Sequence, residues 1–368
     1  VSPFVNQDQW LAKLIRPEIQ ALNAYHVPPA SGYVKLDAME NPHDWPAPMR
    51  EAWLARLAGV AINRYPDPTA AQLTPLLRQV MGVPESAGLM LGNGSDELIQ
   101  ILAIAVGGPG RVILAPEPSF VMYRIIAQMT GAQFVGVPLN PDDFSLDSAA
   151  IEQAIRDHAP AIIFLAYPNN PTGNLFDTPT LERILDIAPG LVVIDEAYQA
   201  FAETSRMESL ARHPNLVVLR TLSKMGLAGL RLGVLAAAPA LVNELDKVRM
   251  PYNVGVLTQV TAVFALEHAS LLWDQAAQIR QERTRLYNEM GALPGTRVFP
   301  SQANFLLFRV PAGRAVAVFE ELRRQRILIK CFHGGPPALA DCLRVTVGTS
   351  HENNLFLSAL RGALAQII

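Results

Sequence analysis

The sequence predicts an α/β protein: a large domain with a mostly parallel central sheet flanked by helices, and a smaller α+β domain. Three observations carry this. Between about residues 85 and 240, short apolar runs alternate with longer segments of helical period, the pattern of parallel strands joined by crossover helices. A polar and charged helical stretch follows at about 255–292. Beyond it, strand-like runs and helices alternate again over a shorter length.

The elements follow in order. The first 60 residues are rich in proline and lack clean periodicity, so they are expected to wrap over one of the lobes. Gly92-Asn93-Gly94-Ser95-Asp96-Glu97 leads into a helix, with Ser95 as its expected cap and Leu98, Ile101, Leu102 and Ala105 at i, i+3, i+4 and i+7. Arg111–Leu114, Gln133–Val137, Ala161–Leu165, Leu191–Ile194, Leu216–Leu219 and Gly233–Leu235 read as strands, each followed by turn or cap residues. Past Pro239, Gln278, Gln281, Glu282 and Arg283 mark a long helical connector between lobes. Asn304–Phe308, Ile327–Ile329 and Leu343–Val347 read as strands of the smaller domain, with a helix near Val316–Gln325. Thr349 followed by Glu352 is a capping-box spacing that starts a last helix. The expected division is an N-terminal segment at 1–60 contributing to the small domain, a large domain at 61–255, a connector at 256–292 and a small domain at 293–368.

The chain has 368 residues, half of them hydrophobic, enough to bury a large core. Its 30 basic and 33 acidic residues leave a net charge of -3, which gives no electrostatic reason to expect nucleic acid or an anionic membrane as partner. Only two cysteines occur, Cys331 and Cys342, so a reducing compartment is expected and no disulfide framework. The histidines lack paired spacing, so no metal site is expected. The apolar stretch Leu232–Val242 is too short for a bilayer and contains Pro239. With Asp8 and Trp10 ahead of Lys13, the start lacks the order of a signal peptide, and a cytoplasmic location is expected.

In open α/β sheets, ligands bind beyond the carboxyl ends of the strands, so polar residues just past the apolar runs are the candidates. Lys224 follows the Leu216–Leu219 run; it is either a solvated charge or a desolvated amine able to bond an aldehyde. Asp195 ends another run, as a helix cap or as a carboxylate for a protonated pyridine nitrogen. Tyr198, three residues on, is a core tyrosine or a partner for a ring hydroxyl. Asn170 sits in Tyr167-Pro168-Asn169-Asn170-Pro171-Thr172-Gly173, a loop whose prolines and glycine can hold an amide rigidly. The amides at Ser95 and Asp96 open a helix and can bind an anion, as can Ser223 and Arg231 around Lys224. Arg344 lies in a strand expected to be buried and needs an anionic partner, from the protein or from a substrate.

Taken in order, the Gly-Ser-Asp helix start, Asn-Pro-Thr-Gly, Asp-x-x-Tyr, Ser-Lys and the two later arginines resemble the fold-type I pyridoxal-phosphate aminotransferases. Within them the chain resembles the histidinol-phosphate aminotransferases over essentially its whole length. Arg16–Ile19, Ala24-Tyr25-His26, Met39–Pro42, Asn63–Pro66 and Cys342–Thr349 add to the match. The resemblance implies a covalent bond from Lys224 to pyridoxal 5'-phosphate, a pairing of Asp195 with the ring nitrogen, and contacts from Asn170 and Tyr198 to the ring hydroxyl. It places the phosphate on Ser95, Asp96, Thr221, Ser223 and Arg231, with Tyr65 supplied across a homodimer to which the first 60 residues contribute. Phe120 would stack on the cofactor, and Tyr25, Asn41, Lys330 and Arg344 would bind substrate. The implied reaction is a ping-pong transamination between histidinol phosphate and 2-oxoglutarate, with imidazole-acetol phosphate and glutamate as counterparts, in histidine biosynthesis.

The chain departs from the common pattern at Phe120, where tyrosine is usual, at Met39, where an amide is frequent, and at Lys330, where many relatives have arginine. Lys330 brings charge without a bidentate fork. The Lys224–Arg231 spacing is one residue shorter than in many members. An aminotransferase for aromatic or other amino acids, a decarboxylase of phosphorylated amino acids, and the cofactor-sensing half of a transcription regulator are the competing readings. Carbon dioxide release without a 2-oxo acid would mark the decarboxylase, and no DNA-binding segment is seen ahead of the fold.

Overall fold

Residues 7–24 and 27–367 are described by the computed structural model. The chain begins with helices α1 (Gln7–Leu14) and α2 (Pro17–Gln20), strand β1 (Val34–Lys35), and helices α3 (Ala47–Leu57) and α4 (Leu73–Met81). The large domain continues through β2 (Gly88–Asn93), α5 (Ser95–Val106), β3 (Val112–Glu117), α6 (Met122–Thr130), β4 (Gln133–Pro138), α7 (Ser148–His158) and β5 (Ile162–Ala166). Then come α8 (Thr178–Ile187), β6 (Leu191–Asp195), β7 (Leu216–Thr221), β8 (Leu232–Ala237) and α9 (Pro239–Asp246). Helices α10 (Val256–Glu267) and α11 (Ala269–Gly291) lead into β9 (Arg297–Val298), β10 (Phe305–Arg309), α12 (Ala315–Arg324), β11 (Ile327–Leu328), β12 (Lys330–Cys331), β13 (Cys342–Thr346) and α13 (Ser350–Ile367).

The central sheet has seven strands in the order β2-β8-β7-β6-β5-β3-β4. Its middle strands are buried along their whole length because helices cover both faces. Alternate residues feed opposite layers: Val192 and Ile194 join one apolar cluster, Val193 the other. Each such side chain contributes roughly 1.5–3 kcal/mol by leaving water. Asp195 ends this apolar run as a carboxylate only 4% exposed.

Four sequence expectations are corrected here. Strand β8 runs antiparallel to both β7 and β2, because two short 3-10 turns and no crossover helix join β7 to β8. The Gly92-Asn93 pair ends a strand, β2, that the sequence reading missed. Ser95 is the first residue of α5 rather than its cap; Gly94, at φ 84, holds that place without a side-chain bond. The Ile327–Ile329 run is a strand only at Ile327–Leu328, β11, which pairs with β1; past Ile329 a separate strand, β12, starts at Lys330 and pairs with β13 in the other sheet.

The long connector is two helices, α10 and α11, bent by 76°. By length and composition that pair could cross a membrane, but among the described residues no single helix is long and apolar enough to do so. Both helices bury residues in the protein interior, Phe264 and Ile279 among them. In the small domain, strands β12-β13-β10-β9 form an antiparallel sheet, and the parallel β1–β11 pair ties the N-terminal segment beside it. The capping box forms as expected: Glu352 accepts from the Thr349 amide at 2.8 Å, and the Glu352 amide donates to the Thr349 hydroxyl at 3.3 Å.

Candidate active site

A cavity of about 1260 Å³ opens where the carboxyl ends of the central strands meet the small domain and the N-terminal segment. Its walls include Ser119, Phe120 and Asn170 from the large domain, and Lys330, Phe332 and Arg344 from the small domain. Asp37, Ala38 and Met39 close a third side.

Lys224 sits just past β7, half-buried, with its Nζ 3.5 Å from the Ala38 carbonyl and 5.6 Å from the centre of the Tyr198 ring. Burial, helped by the positive charge of Arg344, pulls its pKa from 10.5 down to about 8. Asp195, at the end of the neighbouring β6, accepts a hydrogen bond from the Tyr123 hydroxyl at 2.8 Å and one from the Ala197 amide at 3.1 Å. Burial raises its pKa to about 6, against the pull of the Tyr123 bond. Tyr198 is 4% exposed and packs edge-on to Phe305, with ring centres 5.1 Å apart.

An anion cradle lies beside Lys224. The α5 amino terminus, the Thr221 and Ser223 hydroxyls and Arg231 converge there. Thr221 and Ser223 bond each other at 3.0 Å, and Arg231 reaches Ser223 at 3.5 Å and Asp96 at 3.2 Å. Two glycines make the approach possible. A Cβ on Gly233 would lie 2.5 Å from the Ser95 nitrogen, and one on Gly94 would lie 2.5 Å from Arg231 Nη2. Free amides, a helix dipole and a guanidinium make a site for a phosphate-sized anion.

The opposite wall is cationic. Lys330 and Arg344 are directly paired across antiparallel β12 and β13, which puts them on one face of the small sheet. Arg344 donates to the Asn170 side-chain oxygen at 2.5 Å and to the Asp37 carbonyl at 2.9 Å, and lies over the Phe305 and Phe332 rings. This links a loop of the large domain to a strand of the small one. That loop is as constrained as its sequence suggests: Asn169 donates to the Pro118 carbonyl and to Thr172, accepts from Ser119, and Gly173 has φ 81.

Two expected residues, Asn41 and Tyr65, are engaged elsewhere. Asn41 directs its amide to Gln275 at 2.9 Å and accepts from the His43 amide, packing against Gly226 instead. Tyr65 is 80% exposed and stacks on Tyr252 with ring centres 4.5 Å apart. Tyr25 lies outside the described residues. The sequence reading passed over Tyr123, although Phe120 and Tyr123 are one helical turn apart at a strand-to-helix junction. It also passed over the buried Arg220–Glu196 pair at 2.8 Å, which ties the ends of β6 and β7 together next to Asp195 and Thr221. Among the described residues no group of three or more His, Cys, Asp or Glu is placed to hold a metal.

A half-buried amine of lowered pKa, a buried carboxylate and an anion cradle on one rim of a parallel sheet define an enzyme site of the pyridoxal-phosphate transferase fold. The chain belongs to the aminotransferase class I and II family, whose model matches residues 31–360. It is 53% identical to histidinol-phosphate aminotransferase 2 of Nitrosococcus oceani over 351 residues, 95% of this chain and 97% of the relative. It is also 53% identical to histidinol-phosphate aminotransferase 1 of Ralstonia nicotianae, over 97% and 96% of the two chains. Among solved structures, the Sinorhizobium meliloti histidinol-phosphate aminotransferase in complex with pyridoxal-5'-phosphate superposes with a TM-score of 0.82 at 25% identity, covering 96% of this chain and 98% of that one.

Proposed function

We propose that this chain is a pyridoxal-phosphate-dependent aminotransferase that exchanges an amino group between histidinol phosphate and 2-oxoglutarate in histidine biosynthesis, acting in the cytoplasm. The observation that carries this is the opposition of two anion sites across one cavity. Arg231, which bonds Ser223 and Asp96 in the cradle, lines the cavity on the cofactor side, and Lys330 with Arg344 line it on the substrate side. The relatives at 53% identity support the choice of substrate.

The residues fit the cofactor. The cradle suits its phosphate, Gly94 and Gly233 leave the room, and Asp195 offers a carboxylate at the end of β6, the strand next to the β7 end that carries Thr221. Phe120 presents an aromatic surface from the cavity wall. When bound, pyridoxal phosphate supplies a carbonyl that takes up the amino group and a ring that accepts electrons.

The protein's own groups do the rest. With a pKa near 8, a useful fraction of Lys224 is an uncharged amine at neutral pH, able to take a proton from the substrate α-carbon and return it. The Asp195 carboxylate holds a proton on the ring nitrogen. Asn170 and Tyr198 orient the ring hydroxyl. Arg344 receives a carboxylate in one half-reaction and a phosphate in the other, and its fork suits both. Lys330 adds a point charge to the phosphate.

Tyr65 is assigned to a second copy of the chain. Its exposure, its stacking on Tyr252 and the exposed Ile62 and Met250 near them in sequence give an apolar surface that a homodimer would cover. Sedimentation velocity is expected to show a dimer that Tyr65→Ala keeps while losing cofactor affinity.

The experiment that tests the function is the visible spectrum of the purified protein. A band from the Lys224-bound cofactor should shift on adding histidinol phosphate and return with 2-oxoglutarate. A band that responds to phenylalanine and not to histidinol phosphate would overturn the substrate assignment. No band at all after adding pyridoxal phosphate would overturn the cofactor.

A further inference from the structure

Tyr123 has no part in the reaction as derived so far, yet it makes the most direct contact with Asp195. Its hydroxyl donates to Asp195 Oδ2 at 2.8 Å, and the tyrosine is 1% exposed. Its ring is parallel to that of Phe164 on β5, with centres 4.6 Å apart and 4° between planes. On its other side it meets Phe120 edge-on at 5.5 Å, and Phe120 lines the cavity. The remaining carboxylate oxygen, Oδ1, takes the Ala197 amide. A carboxylate on a single strand-end side chain can rotate about its terminal torsion, which is broad. Bonded at both oxygens, this one has a fixed plane.

We propose that Tyr123 is a positioning residue, holding the Asp195 carboxylate at the angle from which it grips the ring nitrogen of the cofactor. The stack on Phe164 fixes where the hydroxyl lies, and the contact with Phe120 couples that position to the surface on which the cofactor ring rests. A phenol buried for packing alone has no need of a carboxylate partner; phenylalanine would fill the same space. The inference rests on the cofactor reading above, and is independent of which amine is the substrate.

The test is Tyr123→Phe, which keeps the ring and its stacking and removes only the bond. The holoenzyme is loaded with pyridoxal phosphate labelled with 15N at the ring nitrogen, and the nitrogen shift is read at one fixed pH near neutrality. The wild type is expected to show the protonated nitrogen, and the variant a measurable move toward the unprotonated position. The kcat should fall about ten-fold, the loss of one hydrogen bond to a charged group, with KM for glutamate within about two-fold. An unchanged nitrogen shift and kcat in a folded variant would reduce Tyr123 to packing and overturn the proposal. Should the variant not fold, the wild type decides: a slowly exchanging low-field hydroxyl proton that disappears in Asp195→Asn supports the contact, and its absence overturns it. A wild type that takes up no pyridoxal phosphate would instead bring down the cofactor reading, a separate outcome.

Discussion

The two sides of the cavity are built differently. On the large-domain side, Asp195, Thr221, Ser223 and Lys224 sit at or just past the ends of adjacent buried strands, where backbone pairing fixes their positions. On the small-domain side, Lys330 stands on a two-residue strand, Arg344 on its neighbour, and Asp37 to Met39 come from the N-terminal segment. The first side depends on local chain continuity in a rigid sheet. The second depends on three segments far apart in sequence meeting correctly. The cofactor side should therefore give all-or-none responses to mutation, and the substrate side graded ones.

The sharpest way to break that contrast is Lys224→Ala. Turnover should fall by about 10³-fold or more, while some pyridoxal phosphate stays bound through the phosphate cradle, as read by equilibrium dialysis. Near-normal turnover would end the assignment. Arg344→Ala is the largest expected effect on the other side. It removes a charge that bonds both Asn170 and the Asp37 carbonyl, so KM for glutamate and for histidinol phosphate should both rise about a hundred-fold, or ~3 kcal/mol.

The pH dependence of the apoprotein tests the cofactor side without catalysis. Burial raises the Asp195 pKa from 3.8 to about 6. Between those values the folded chain holds a proton that the unfolded chain has released, so this group lowers stability as pH rises. Asp195→Asn should then be more stable than the parent apoprotein at pH 7, by up to about 3 kcal/mol in urea denaturation, with the difference vanishing below pH 4. Lys224 acts in the opposite sense: its pKa is lowered from 10.5 to about 8, so its destabilising contribution is relieved as pH rises through that window.

Gly233→Ala should weaken cofactor binding by roughly 1–3 kcal/mol, because the added Cβ pushes against the Ser95 amide and the Gly94 backbone. The smallest effect belongs to Lys330→Ala. As a single exposed charge it should raise KM for histidinol phosphate by a few-fold, about 1 kcal/mol, and leave KM for glutamate nearly unchanged. Equal effects on both substrates would show that Lys330 does not discriminate phosphate from carboxylate.

Legibility in the sequence follows the same divide. The strands that carry Asp195 and Lys224 were readable because burial on both faces demands unbroken apolar runs, and a polar residue directly past such a run is conspicuous. The resemblance then ordered these residues into one site. Tyr123 was not readable, because its role depends on β3 and its following helix lying beside β5 and β6, and an amphipathic helix commonly carries a tyrosine. Asn41 shows the converse. Its place in a recognisable motif suggested the substrate, yet the fold points its amide at Gln275 of a helix more than two hundred positions away.

By itself the sequence determined the α/β class, the strands of the large sheet other than β2, the helix start after Gly94 and the chemistry available at the strand ends, because burial and backbone geometry act through neighbours along the chain. Only the tertiary structure decided that β8 runs against its neighbours, that Ile327–Leu328 and Lys330–Cys331 join different sheets, that Asn170 meets Arg344 and that Tyr123 meets Asp195. Those contacts join residues tens to hundreds of positions apart. Their geometry is fixed by packing of the whole molecule, which leaves no periodic trace in the sequence.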